Sequence, residues 1–146
     1  MGTVRHSGIA EAPVDVVFDY VDDPASVPHW MFGVSRFDPI GSVERGVGSR
    51  FAASMRVGPK TLHSTVVCSE WEKDKLIVLE SADGLTNSSR WEFADLGDGT
   101  TRMSVVFDYT LPGGIAGKML GALVTPFVAE AVKHSEASLR KNLSEA

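Results

Sequence analysis

Thr101 to Gly114 reads TRMSVVFDYTLPGG, and this stretch decides the fold. Met103, Val105, Phe107, Tyr109 and Leu111 recur at every second position, the period of a strand with one face on a core. Arg102 and Asp108 fall on the opposite, wet face. Pro112, Gly113 and Gly114 then end the strand. From Ile115 to about Asn142 the apolar residues follow helical spacing, which predicts the longest helix of the chain. A sheet with one wet face needs a cover on the other, and this helix is the only long candidate.

The same alternation runs back toward the N-terminus in segments cut by turn residues. Strands are expected over 34–40, 47–57, 61–71, 76–81, 87–96 and 101–111, separated by Glu44-Arg45-Gly46, Gly58-Pro59, Lys73-Asp74, Asp83-Gly84 and Gly97-Asp98-Gly99. Phe51, Ala53 and Met55 share one face, as do Ile77 with Leu79 and Trp91 with Phe93, while Arg50, Arg56, Arg90 and Glu92 face water. Thr3 to Glu11 reads as a first strand. Pro13 opens a short helix with Val14, Val17, Phe18 and Val21 on one face. Asp23 is placed to cap a second, with Pro24 at its first position and Val27, Trp30 and Met31 on one side. The expected fold is α+β: seven antiparallel strands, two short helices after the first strand, and a long C-terminal helix.

The chain has 146 residues, 43% apolar and 23% charged, which suits a single domain over 1–146 with one core. A net charge of −5 without any Lys/Arg cluster argues against a nucleic-acid surface or a polybasic membrane patch. Pro112, Gly113, Gly114, Lys118 and Pro126 interrupt the longest apolar run, so no stable membrane insertion is expected. The lone Cys68 and the lack of a basic, apolar leader predict a cytoplasmic protein. His6, His29, His63 and His134 show no paired ligand spacing, which predicts no metal site. Gly46-Val47-Gly48 lacks the third glycine of a dinucleotide fingerprint, there is no P-loop, and no cofactor is expected. No GxSxG elbow is present, and Cys68 in an apolar strand reads as core packing. No motif encodes an oligomeric state.

Turning about 100° per residue along the last helix, Ala131, Ser135, Ser138 and Asn142 fall at the centre of its apolar stripe, flanked by Leu123, Val124, Phe127, Val128 and Leu139. Two readings fit an emptied centre: close packing of helix on sheet, or the wall of a cavity. Under the second, Trp30, Phe51, Met55, Trp91, Phe93, Tyr109, Phe127, Ala131 and Ser135 line a site for a hydrophobic ligand. Tyr109 can orient a ligand carbonyl or donate a proton; the alternative is a phenol satisfied by backbone or water. His134 can exchange protons near neutrality; the alternative is a boundary histidine reaching solvent. Gly117 and Gly121 weaken residues 115–124 and Pro126 breaks the helical ladder. That segment is expected either to open as a lid, with Gly58-Pro59 and Asp83-Gly84 on the opposite rim, or to form a static kinked helix.

Several motifs resemble one known family along the whole chain. They are Ile9-Ala10-Glu11-Ala12-Pro13 leading to Val17-Phe18-Asp19-Tyr20-Val21, then Asp23-Pro24, Pro28-His29-Trp30 and Val47-Gly48-Ser49-Arg50-Phe51. Near the end, Gly99-Thr100-Thr101-Arg102 and Asp108-Tyr109-Thr110-Leu111-Pro112-Gly113-Gly114 continue the likeness. Together they resemble the START/Bet v 1-like superfamily, which includes polyketide cyclase/dehydrase and lipid-transport proteins. The resemblance implies a helix-grip fold, a sheet curled around a long C-terminal helix with a ligand cavity between them. These motifs sit mainly at turns and helix entries, so they mark fold more than chemistry. The expected function is binding of a lipid-like or aromatic, polyketide-like small molecule. The alternative is a polyketide cyclase/dehydrase-like enzyme in which Tyr109 and His134 give acid/base assistance. A protein-interaction module using the outer face of the sheet is a weaker third class, because that face is charged.

Overall fold

The computed structural model describes residues 2–31, 34–43, 45–57, 60–82, 86–110, 133–134 and 137–143. Seven strands form one antiparallel sheet: β1 (Gly2–Ala10), β2 (Val34–Ile40), β3 (Arg50–Val57), β4 (Lys60–Glu72), β5 (Leu76–Ser81), β6 (Thr86–Asp95) and β7 (Thr101–Thr110). Their spatial order is β1-β7-β6-β5-β4-β3-β2. β2 to β7 are a meander, each paired with its predecessor, and β1 closes the far side by pairing with β7 from Gly2↔Tyr109 to Ala10↔Thr101. β1 and β2 therefore lie at opposite edges of the sheet. The segment between them carries α1 (Val14–Asp22), packed near β6, and α2 (Val27–Trp30), packed near β2.

The core follows the alternation. Phe51, Trp91, Phe93, Met103, Val105 and Tyr109 are buried on the inner face, against Val17, Phe18 and Val21 of α1 and Val27 and Trp30 of α2. Arg50, Arg56, Arg90, Glu92 and Arg102 are exposed on the other face. A bulge in β4 between Cys68 and Glu70 adds one residue. It lets both Cys68 and Trp71 join the inner side while Glu70 faces out to Arg90 at 3.4 Å. Fully buried Thr101 donates its hydroxyl to the carbonyl of Ala12 at 2.8 Å, tying the start of β7 to the entry of α1.

Two expected starts move by more than one residue. β3 starts at Arg50 rather than at residue 47, because Gly46 and Gly48 hold φ of 85° and 92°, a left-handed backbone that cannot continue a pleat. α2 starts at Val27 with Ser26 as its N-cap residue, not at Pro24. Asp23 instead accepts the N–H of Ala25 at 3.0 Å and closes a turn.

Of the expected C-terminal helix, residues 133–134 and 137–143 are described and helical. Leu139 and Leu143 are buried, whereas Ser138 and Asn142 are half-buried. At this end the buried stripe is therefore centred on the two leucines and not on Ser138 and Asn142. Asn142 instead bridges, its amide donating to the Tyr20 hydroxyl at 3.3 Å and to the His29 carbonyl at 3.1 Å. The expected lid at 115–124 and the turns Gly58-Pro59 and Asp83-Gly84 lie outside the described residues. No helix among the described residues is long and apolar enough to cross a membrane.

Candidate functional site

Between the α1–α2 segment and the inner face of the sheet lies a cavity of about 20 Å³, the room of a single water. Val21, Asp22, Val27 and Trp30 form its helical wall. The sheet contributes Phe37, Phe51, Cys68, Ile77, Leu79 and Trp91, so five consecutive strands converge on it. They converge because strands β2 to β6 are sequential neighbours in the meander, and inner-facing residues of each reach the same level, two of them from β5.

Aromatic rings give the walls their rigidity. Trp30 and Trp91 meet edge to face, Phe37 stacks on Phe51 at 4.7 Å, and Phe18 stands edge-on to both Trp71 and Phe93. α2 is a single turn and depends on its ties. The Ser26 hydroxyl accepts the Trp30 indole N–H at 3.1 Å and lies within hydrogen-bonding distance of the Tyr20 and Asp23 carbonyls.

The polar end of the cavity is formed by Asp22, Ser49 and Cys68. Asp22 ends α1 with its side chain only 10% exposed. Its carboxylate accepts the Trp71 indole N–H at 3.0 Å and an Arg45 guanidinium N–H at 3.3 Å. Burial pushes the Cys68 thiol above its ordinary pKa; a hydrogen bond with Ser49 opposes the rise and the charge of Asp22 adds to it. The thiol is thus a neutral wall group that donates to the Glu70 carbonyl at 3.3 Å. Trp91 is 4% exposed, yet its indole N–H has no partner among the described residues. A buried donor left unpaired costs about 1–3 kcal/mol.

The residues singled out in the sequence are distributed unevenly. Trp30, Phe51 and Trp91 line the cavity together. Met55 is half-buried and packs on the core without reaching it. Phe93 is buried against Phe18 and lines a second, open hollow with Val14, Arg90 and Arg102. Tyr109 is buried near the far edge of the sheet, its ring 6.1 Å from Phe107, and does not line the cavity. His134 is exposed. Phe127, Ala131 and Ser135 lie outside the described residues. Sequence reasoning did not single out Asp22. Its signal was present: at about 100° per residue Asp22 falls only about 40° from Phe18 on the buried face of α1. Among the described residues no group of three or more His, Cys, Asp or Glu is placed to hold a metal.

The whole architecture recurs in solved structures. A Thermus thermophilus protein, TTHA0849, superposes with a TM-score of 0.84 at 20% identity, over 99% of this chain and 98% of its own. The ZhuI aromatase/cyclase of Streptomyces sp. R1128 matches with a TM-score of 0.80 at 12% identity, over 98% and 93%. A START superfamily protein from Mycobacterium smegmatis matches with a TM-score of 0.80 at 14% identity, over 98% and 97%. At these identities the likeness is one of fold. A search of curated proteins finds no match. The family model described as polyketide cyclase/dehydrase and lipid transport matches residues 1–144, nearly the full 146. The chain belongs to the polyketide cyclase/dehydrase and lipid transport family.

Proposed function

We propose that the protein binds a hydrophobic small molecule, aromatic or lipid-like, between the inner face of the sheet and the α1–α2 segment. The observation that carries this reading is the convergence of apolar side chains from α1, α2 and five strands on one cavity. Membership of a family described by cyclase/dehydrase activity and lipid transport supports it. A volume of about 20 Å³ admits no ring system, whereas small-molecule sites measure about 300–1,000 Å³. Binding therefore displaces a wall. α2 is the wall that moves in this reading, because it is one turn long and held by side-chain ties from Ser26 and Asn142.

Tryptophan fluorescence tests the reading, since Trp30 and Trp91 both line the cavity. A panel of lipids, sterols and polycyclic aromatics should contain a compound that quenches the emission saturably. Native mass spectrometry of protein purified from its own host should find a retained small molecule. No response to the panel, together with an empty protein, would overturn the proposal.

A further inference from the structure

The chain has three tryptophans, and an indole has one hydrogen to donate and nothing to accept with. Two of the three donors are used within the protein. Trp30 donates to the Ser26 hydroxyl at 3.1 Å and Trp71 to the Asp22 carboxylate at 3.0 Å. The third, Trp91, is buried and lines the cavity with its donor unpartnered among the described residues. Its neighbours in the sheet explain why. Trp91 sits opposite Ile77 on β5 and Val105 on β7, and Trp30 meets it edge to face, so three apolar surfaces surround the ring without offering an acceptor.

We infer that Trp91 sets the specificity of the cavity, donating its indole N–H to a neutral oxygen acceptor, such as a ketone, on an otherwise apolar ligand. This inference rests on the reading of the cavity as a ligand site. A pure hydrocarbon brings no acceptor to a donor that has none among the described residues. An anionic head group gives up its hydration in a largely apolar space whose lining holds no cation among the described residues, and the nearby Arg45 guanidinium is already paired with Asp22. A cation has nothing to gain from an N–H donor, and the Asp22 carboxylate is already engaged by Trp71 and Arg45. A neutral carbonyl satisfies the donor and brings no charge into the cavity.

Three naphthalene probes of nearly equal shape test it: 2-acetylnaphthalene, 2-ethylnaphthalene and 2-naphthoate. Each is titrated calorimetrically into the full chain and into Trp91→Phe, and the indole N–H resonances are followed in nitrogen-15-labelled protein. The ketone should bind about tenfold tighter than the hydrocarbon, and the carboxylate more weakly than either. The Trp91 N–H proton should lie further downfield with the ketone bound than with the hydrocarbon bound, since both share the ring and only the ketone accepts, and Trp91→Phe should bring the two neutral probes within about twofold of one another. Equal affinities in the parent protein, or a ketone preference that survives in Trp91→Phe, would overturn the inference while leaving the ligand site standing. Binding by none of the three would remove the ligand site and the inference with it. If Trp91→Phe does not fold, the Trp91 resonance in the parent protein decides alone.

Discussion

Trp30 and Trp91 meet with ring centroids 5.2 Å apart and planes at 83°, the contact that seats α2 on the sheet. Their N–H groups have different fates, since Ser26 takes the first and nothing among the described residues takes the second. Trp30→Ala should cost about 3–5 kcal/mol by loss of buried area and of this pair. Trp30→Phe keeps most of the ring and should cost less than half as much. Urea unfolding of both variants checks the order, and equal losses would show that area is not the main contribution of this side chain.

Thr101 is fully buried and holds the Ala12 carbonyl at 2.8 Å, joining β7 to the entry of α1. Thr101→Val preserves shape and removes the donor. The carbonyl is then buried without this partner, and stability should fall by about 1–3 kcal/mol. Thr101→Ser keeps the hydroxyl and should retain most of the difference. Thermal unfolding of the pair gives the answer.

Asn142 bridges the C-terminal helix to the Tyr20 hydroxyl of α1 and to the His29 carbonyl of α2. Asn142→Ala should lower stability by about 1 kcal/mol and raise amide exchange in 27–31, the segment its amide holds. Unchanged exchange there would mean that the tie does not restrain α2.

Cys68 has its thiol pKa raised, first by burial and further by the charge of Asp22, against a lowering contribution from Ser49. A pKa raised on folding means that the folded protein holds this proton more tightly than the unfolded chain. The stability linked to it is complete below the unfolded pKa of about 8.5 and is lost as pH rises through the folded value. The stability difference between the parent protein and Cys68→Ala should shrink as pH is taken from 8 to 10. A disulfide reagent at pH 8 should label Cys68 slowly in the folded protein and rapidly in denaturant.

Tyr109 and His134 separate a binder from a catalyst. If the protein only binds, Tyr109→Phe with His134→Ala should leave ligand quenching within about threefold and reveal no turnover to lose. A role in acid/base chemistry would instead appear as a loss of turnover of about 10²-fold or more with binding intact. Steady-state kinetics on a cyclisable polyketide analogue, beside the fluorescence titration, distinguishes the two.

The strands, their order along the chain and the faces they bury were legible in the sequence, because a period of two is imposed residue by residue by the pleat. Val17, Phe18 and Val21 on α1, and Phe51, Trp91, Phe93, Met103 and Val105 on the strands, could be placed on the inner side without a structure for the same reason. Local turn chemistry marked most boundaries, and it erred where backbone conformation outranked side-chain pattern, at Gly46 and Gly48 before β3. Tertiary structure alone decided what shares a cavity. Phe37, Cys68 and Ile77 come from three separate strands, and their meeting depends on register and on the β4 bulge, neither of which leaves a local signature. It alone decided that Asp22 accepts from Trp71, 49 residues away, and that Trp91 is the tryptophan whose donor has no partner among the described residues. Such pairings are set by distances across the sheet and by what the neighbouring strands present, quantities that a linear pattern does not contain.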